Sequence, residues 1–320
     1  VGKTRSEMDR ALDVGIHQFN IESQPELELL SAAAVAKAKV APISIRVNPD
    51  VDAKTHEKIS TGKAENKFGV AWDVAPALYN RAASLDGIEV VGVDVHIGSQ
   101  LTDLGPFENA FRRVAGLVRT LRAAGHKISR LDLGGGLGIP YGDAPTDPPH
   151  PDAYGKMIAK FANELDCDII LEPGRLIAGN AGILVSEVIF VKDAPTRRFL
   201  ILDAAMNDLM RPAMYDAYHD IIPLNEPGPD MQTSPVDIVG PVCESTDKFA
   251  LARQMPPLQA GDLVAFLSAG AYSAVMSSTY NTRPLVAEVL VKGAQTAVIR
   301  PRQTVDDLIA LDKPAPWLAR

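Results

Sequence analysis

The sequence is short of the features that mark several classes of protein. Only two cysteines occur in 320 residues, Cys167 and Cys243, far apart and without a Cys-x-x-Cys or a Cys/His spacing. This argues against a disulfide framework and against a structural zinc site, and no metal is predicted. The same scarcity is typical of a reducing compartment, so we expect a cytoplasmic protein.

Basic clusters and long apolar runs are also lacking. The formal net charge is -8, and no group of lysines and arginines is interleaved with aromatic side chains, so we expect no nucleic-acid partner. No apolar run approaches the roughly 20 residues that span a bilayer. The first residues show no signal-peptide pattern, and we therefore expect no membrane partner.

Two kinds of pattern divide the chain. Up to residue 179, apolar runs that end near residues 22, 47, 96, 134 and 172 alternate with amphipathic helical stretches. This alternation predicts parallel βα units of a barrel or of a doubly wound sheet. Residues 180–320 instead carry short β-rich runs between turns, which predicts a second, mainly antiparallel domain. The runs lie at 185–191, 198–202, 236–239, 263–266 and 285–291.

Polar residues follow three successive predicted strands. One strand leads into His96 and Ser99, the next into the glycines of LDLGGGLG at 131–138, and the third into Glu172-Pro173-Gly174-Arg175. Because parallel strands end at one edge of a sheet, we expect an imidazole, an anion-binding backbone and a charged pair to meet there. Each also has an ordinary reading, as a structural histidine, a glycine turn or an ion pair between Glu172 and Arg175.

Together these residues suit a flat, phosphorylated, nitrogen-containing ring. The imidazole can stack on the ring, the glycine amides and Ser99 can hold the phosphate, and Glu172 can keep the ring nitrogen protonated, which favours decarboxylation. For the candidate residues in 180–320, a structural role and a functional role both remain possible. Cys243 has the ordinary reading of a small buried hydrophobe, and Arg211 and Tyr215 that of a solvated helix pair.

Six segments, in this order, resemble the fold-type III pyridoxal phosphate decarboxylases, whose barrel is alanine racemase-like, and within them the branch that acts on diaminopimelate. The segments are HIGSQ at 96–100, LGGGLG at 133–138, EPGR at 172–175, MRPAMY at 210–215, GPVCES at 240–245 and GAY at 270–272. A series of this kind is far more specific than one glycine motif. Glu244 after Cys243 favours diaminopimelate over ornithine or arginine, because those relatives typically carry aspartate there.

The resemblance implies a TIM-type (β/α) barrel over 1–179, an antiparallel β-domain over 180–320, and a homodimer with shared sites. It implies conversion of meso-2,6-diaminopimelate to L-lysine and carbon dioxide with pyridoxal 5'-phosphate. The cofactor-binding residues would be His96, Ser99, Gly134, Gly135, Gly136, Glu172, Gly174, Arg175 and Tyr272. The substrate-binding residues would be Arg175, Arg211, Tyr215, Glu244 and Tyr272. Cys243 would act from the other subunit as the proton donor.

One element of the family pattern is missing from the 320 residues. The Schiff-base lysine of the family lies in a Tyr-Ala-x-Lys-Ala-Asn context, whereas Lys3, Lys37, Lys39, Lys58 and Lys67 lie in other contexts. We therefore expect the chain to start after the first three barrel strands and to be inactive by itself.

Three other functions remain open. The first is decarboxylation of another amino acid, such as ornithine or arginine, and the second is a non-catalytic, decarboxylase-like regulator. The third, a racemase on the same fold, is disfavoured by Glu172, because a carboxylate that protonates the ring nitrogen favours loss of carbon dioxide.

Overall fold

A computed structural model describes residues 1–51, 67–142, 147–228 and 230–318. The chain divides into two compact units, one of Val1–Ile139 with Thr146–Leu176 and the other of Pro140–Pro145 with Ile177–Arg320. Most of the loop predicted between Asn48 and Asn66, including Lys58, lies outside the described residues.

The first unit contains an all-parallel sheet whose five strands lie in sequence order, β1-β2-β3-β4-β5. The strands are β1 (Phe19–Ile21), β2 (Ala41–Arg46), β3 (Ile88–Asp94), β4 (Arg130–Asp132) and β5 (Asp168–Ile170). The helices are α1 (Arg5–Val14), α2 (Gln24–Ala36), α3 (Ala75–Ala83), α4 (Gly105–Ala123) and α5 (Pro151–Leu165), and the short α6 (Arg175–Ala178) follows β5. Sequential parallel order with a helix between strands is the pattern of (β/α) barrel units.

Local sequence accounts for these elements. Helix α1 starts at a capping box, in which Thr4 and Glu7 satisfy each other's backbone N–H groups, and ends at Gly15 with a left-handed φ of 68°, as the glycine predicts. Helix α4 buries an apolar stripe that includes Phe107, Phe111 and Val114. The apolar core residues of β1 to β4 are buried, as in parallel sheets covered by helices, whereas Ile169 and Ile170 of β5 are partly exposed.

The second unit has a different architecture. Its strands are β6 (Leu184–Asp193), β7 (Arg198–Leu202), β8 (Ile221–Pro223), β9 (Ser234–Val239), β10 (Lys248–Met255), β11 (Leu263–Phe266), β12 (Glu288–Lys292) and β13 (Gln295–Arg300). Six form one sheet in the order β10-β9-β7-β6-β11-β8, and β12 and β13 form a hairpin. Every described strand pair is antiparallel except β7 with β9. Two short helices, α7 (Arg211–Tyr215) and α8 (Val305–Ile309), complete the unit.

Sequence patterns located some strands better than others. The predicted bounds of β7 and β11 coincide with those in the structure, whereas β8, β10 and β13 were not predicted. Strand β10 mixes charged and apolar residues, and every residue of β13 is exposed, so neither shows the period-two alternation of a half-buried strand. Among the described residues no helix combines the length and the apolar character needed to cross a membrane.

Candidate active site

Three neighbouring strand ends of the first unit are joined by hydrogen bonds. Strand β3 ends at Asp94, so His96 lies in the loop two residues further on rather than on the strand. The Gly135 N–H donates to His96 Nδ1 at 3.2 Å, and Arg175 Nη2 donates to Ser99 Oγ at 3.1 Å. The structure therefore brings together the loops after β3, β4 and β5, as the sequence predicted when it placed these residues at one edge of the sheet.

The glycines after β4 allow these loops to touch. Gly134 and Gly136 have left-handed φ angles of 65° and 102°. A Cβ on Gly135 would overlap the carbonyl oxygen of Glu172, and one on Gly136 would overlap that of Gly98. Three strand ends can pack backbone against backbone only because these positions have no side chain.

The amides of the glycine loop have different partners. The Gly134 N–H donates to Asp132 Oδ1 at 3.1 Å, and that of Gly135 is taken by His96. Among the described residues, none accepts a hydrogen bond from the Gly136 N–H. Gly174 adds an exposed backbone with open space about its Cα. Gly136 and Gly174 are therefore the glycines best placed to offer an N–H to an anion, while Gly134 and Gly135 shape the loop.

A carboxylate cluster, defined here as Asp94, Asp132 and Glu172, lies at the same strand ends. Asn20 Nδ2 bridges two of its members, donating to Asp132 Oδ2 at 3.1 Å and to Glu172 Oε1 at 3.4 Å. Burial raises the pKa of all three carboxyls. The negative charge of Asp132 raises the pKa of Asp94 and Glu172 further, and the positive charge of Arg46 opposes both. Each proton in the cluster is therefore held more tightly than in water.

His96 has the opposite shift. Burial, with the positive charge of Arg46 adding to it, lowers the pKa of His96 to about 4. The imidazole is therefore neutral near pH 7, and because Nδ1 accepts from Gly135 the proton is on Nε2. A neutral aromatic face beside the carboxylate cluster is suited to stack on a flat ring.

Room for such a ring exists in the first unit. A cavity of about 600 Å³ is lined by Asn20, Arg46, Asp94, Asp132 and Glu172 among others, a size typical of small-molecule sites. The glycine loop and Gly174 line a second cavity of about 190 Å³. Asp94 Oδ1 and Arg46 Nε are buried without a hydrogen-bond partner among the described residues. Unused polar atoms, carboxyls with a raised pKa and glycine amides without a described acceptor fit a phosphorylated pyridine ring.

The ion pair that the sequence left open is not formed. Glu172, which is partly exposed, accepts from Asn20, whereas the buried guanidinium of Arg175 donates to Ser99. The two side chains thus have separate partners, and Glu172 lines the cavity.

In the second unit, Arg211 and Tyr215 begin and end helix α7. Arg211 is only 7% exposed, so the two are not a solvated helix pair. Its Cζ lies 4.5 Å from the centre of the Tyr141 ring, and Nη1 lies 2.7 Å from His219 Nε2. The guanidinium is fixed on two sides.

Cys243 and Glu244 lie on an exposed turn of the second unit, so Cys243 is not a buried hydrophobe. Tyr280 Oη and Thr246 Oγ1 each donate to the Glu244 carboxylate at 2.8 Å, and these hydrogen bonds lower the pKa of Glu244. Asp247 holds the turn from below, because its buried carboxylate accepts the Val242 N–H at 2.7 Å.

Tyr272 lies on a separate loop of the second unit. Its φ of 59° is left-handed, which is rare for an aromatic residue, and its side chain is 41% exposed. A strained, half-open tyrosine is typical of a functional position.

Sequence reasoning missed several organising residues of these sites. They are Asn20, Arg46, Asp94, Asp132, His219 and Asp247. Arg46, Asp94 and Asp132 had a usable signal, because each is a charged residue at the end of an otherwise apolar strand. No feature of the neighbouring sequence distinguished Asn20, His219 or Asp247.

A parallel βα unit with these strand ends, followed by a β-rich unit, defines a cofactor-dependent enzyme of the barrel class. Residues 1–179 match the family model described as pyridoxal-dependent decarboxylase, pyridoxal binding domain. The chain belongs to the pyridoxal-dependent decarboxylases, and within them to the diaminopimelate decarboxylases.

The assignment to the diaminopimelate decarboxylases rests on sequence relatives and on a solved structure. The chain is 51% identical over 318 residues to diaminopimelate decarboxylase of Zymomonas mobilis, covering 99% of this chain and 75% of the relative. It is 50% identical over 317 residues to the Vibrio cholerae enzyme, with the same coverage. The crystal structure of Helicobacter pylori diaminopimelate decarboxylase complexed with L-lysine superposes with a TM-score of 0.92 at 40% identity, over 97% of this chain and 77% of that one. The predicted barrel fold with its β-domain is confirmed.

Proposed function

We propose that this protein decarboxylates meso-2,6-diaminopimelate to L-lysine with pyridoxal 5'-phosphate. The observation that carries the proposal is the carboxylate cluster beside the neutral His96, because it places carboxyls with a raised pKa next to an uncharged aromatic face. The bound cofactor supplies an electron sink for the bond to the departing carboxylate. The relative from H. pylori, crystallised with L-lysine, supports the ligand class.

The first unit would hold the cofactor. Glu172 holds a proton at the ring nitrogen, and His96 packs its neutral face on the ring. The phosphate is bound by Ser99 and Arg175, which already share a hydrogen bond, together with the N–H groups of Gly136 and Gly174. Gly134 and Gly135 keep the loop close enough for this, and Tyr272 contacts both cofactor and substrate.

The second unit would supply recognition of the substrate. Arg211 and Tyr215, with Arg175, bind carboxylate, and Glu244 binds the distal ammonium group. The lowered pKa of Glu244 supports this role, since it keeps the carboxylate charged. Cys243 Sγ of the other subunit donates the proton to the carbon that has lost its carboxylate, and the exposure of Cys243 makes this contribution sterically open.

A homodimer is part of the proposal. On β12 and β13, apolar side chains that include Leu290, Val291, Val298 and Ile299 are each more than half exposed. Because successive side chains of a strand face opposite ways, the hairpin exposes apolar residues on both of its faces. Large exposed apolar surface is characteristic of an interaction site. Sedimentation velocity is expected to give a dimer for the wild type and a monomer for Leu290→Lys with Val298→Lys, while Lys292→Gln on the same hairpin leaves the dimer intact. A wild-type monomer at micromolar concentration would contradict this. We expect the enzyme to act in the cytoplasm.

Carbon dioxide release tests the reaction. Residues 1–320 are joined to the quarter of the Z. mobilis relative that this chain does not match, and loaded with pyridoxal phosphate. Turnover of meso-diaminopimelate is expected to exceed that of ornithine or arginine by about 100-fold, because a site that pairs polar groups with its substrate rejects analogues that lack a paired group. Arg211→Gln is expected to reduce this preference, because it removes a cation that would bind the second carboxylate, which ornithine and arginine lack. Glu226→Gln, on an exposed loop, is expected to leave the preference unchanged. Preferred turnover of ornithine or arginine would contradict the assignment.

The same assay on residues 1–320 alone tests whether the missing lysine is needed. Because no lysine in them has the Schiff-base context, turnover is expected to be negligible. Turnover equal to that of the joined polypeptide would show that this lysine is dispensable.

A further inference from the structure

His219 is a buried titratable residue that the proposed reaction does not use. It is 1% exposed and lies in the second unit between a backbone carbonyl and a guanidinium. Its Nδ1 is 2.9 Å from the Leu267 carbonyl oxygen, and its Nε2 is 2.7 Å from Arg211 Nη1. Both distances are those of good hydrogen bonds.

The two partners fix the protonation of the ring. A carbonyl oxygen only accepts, so Nδ1 must carry a proton. A guanidinium only donates, so Nε2 must be bare and accept from Arg211. One neutral tautomer satisfies both contacts, and an imidazolium would set two cations against each other.

The surroundings hold this arrangement in place. Tyr141 stacks on the Arg211 guanidinium and meets the His219 ring edge-on, with centroids 5.3 Å apart and planes at 80°. Arg253 Nη2 donates to the backbone oxygen of His219 at 3.1 Å and thereby fixes the chain that carries the imidazole. The backbone, the ring and the guanidinium are all constrained.

The chemical nature of the partner matters for Arg211. A carboxylate partner would fix the guanidinium but would also neutralise it. A neutral imidazole fixes one edge through a hydrogen bond and places no negative charge of its own against the guanidinium.

We propose that His219 is a positioning residue that orients Arg211 toward the substrate carboxylate without neutralising it. This inference rests on the proposed function, in which Arg211 binds that carboxylate. Its consequence is selectivity for ligands that carry a carboxylate, and not affinity for amines in general.

The test compares L-lysine with cadaverine, which is lysine without its carboxylate. Calorimetric titration of the joined polypeptide described above, loaded with pyridoxal phosphate, is expected to show lysine bound at least 10-fold more tightly than cadaverine. His219→Leu is expected to reduce this ratio at least fivefold by weakening lysine alone. His219→Gln is expected to keep it within twofold, because the glutamine amide can donate to the Leu267 carbonyl and accept from Arg211. His126→Gln in the first unit is the matched control and is expected to leave the ratio unchanged.

A double-mutant cycle separates positioning from general stability. In an Arg211→Lys background, His219→Leu is expected to cause no further loss of the lysine-to-cadaverine ratio, since its effect passes through Arg211. Equal weakening of both ligands by His219→Leu, or failure of His219→Gln to restore the ratio, would reduce His219 to a packing residue and leave the proposed function intact. A wild type that binds both ligands equally, or neither, would overturn the carboxylate role of Arg211 itself and with it the proposed function.

Discussion

The two units treat their functional carboxylates in opposite ways. In the first, burial at the strand ends raises the pKa of Asp94, Asp132 and Glu172. In the second, Glu244 is exposed, and hydrogen bonds from two hydroxyl groups lower its pKa. Desolvation penalises a charge in one place and hydrogen bonds support it in the other. The shift favours the protonated form at the strand ends of the first unit and the charged form at Glu244 in the second.

The largest expected effect breaks the packing that buries the first set of carboxylates. Gly136→Ala places a Cβ against the Gly98 carbonyl oxygen at a φ of 102°. We expect the free energy of unfolding to fall by about 4 kcal/mol or more, with loss of pyridoxal phosphate binding, both measured by urea titration and fluorescence. Gly116→Ala is the control. It lies on the exposed side of α4, where a Cβ meets nothing, and should stabilise the protein by roughly 0.5–1 kcal/mol. Equal effects of the two changes would refute the packing explanation.

The next effect concerns the cation of the carboxylate cluster. Arg46→Met removes the positive charge that opposes the raised pKa of Asp94, Asp132 and Glu172. We expect a loss of about 3 kcal/mol in the free energy of unfolding at pH 8, the magnitude typical of breaking a buried charge pair.

The pH dependence of that loss has a definite sign. Because the pKa of these carboxyls is raised by folding, the native state binds more protons above the ordinary carboxyl pKa, and stability falls as pH rises through this range. The deficit of Arg46→Met should therefore be smaller at pH 6 than at pH 8. Arg112→Met, whose partner Glu108 lies on the same exposed helix face, should cost less than about 1 kcal/mol at both pH values. A deficit that grows toward pH 6 would contradict the proposed role of Arg46.

His96 should give a pH dependence of opposite sign within the same site. Its pKa of about 4 lies below the unfolded value of 6.5, so the unfolded state binds more protons between these values and stability falls as pH decreases from 6.5 to 4. The contribution is about 3 kcal/mol, at 1.36 kcal/mol per pKa unit. His96→Asn, which can accept the Gly135 N–H but does not titrate, should remove this dependence. Titration of the His96 ring by NMR above pH 6 would contradict it.

The smallest expected effect concerns the hydrogen bonds that lower the pKa of Glu244 in the second unit. Tyr280→Phe removes one of the two hydroxyl hydrogen bonds to Glu244, so the pKa of Glu244 should rise while stability barely changes. Carbon-13 NMR of labelled glutamate measures this, and Thr246→Val should act in the same direction. Thr233→Val, whose hydroxyl contacts Gln254 instead, should leave Glu244 unaffected. A Glu244 pKa unaffected by both Tyr280→Phe and Thr246→Val would show that solvent alone sets its charge.

Patterns in the sequence were enough to predict the alternation of strands and helices in the first unit. They also predicted that the site lies at the C-terminal edge of its parallel sheet. They did so because apolar periodicity and glycine conformation are local properties: Gly15 ends α1, and the glycines after β4 adopt the left-handed angles that their residue type permits. The order of the motifs likewise sufficed to predict the family.

The charge of each ionisable side chain, and the side chain to which it hydrogen-bonds, became known only from the tertiary structure. Asn20 reaches Asp132 and Glu172 across 112 and 152 residues of chain. His219 acquires its tautomer from Leu267 and Arg211. Protonation depends on burial and on distances between side chains, and these quantities exist only once the strands and loops have packed together.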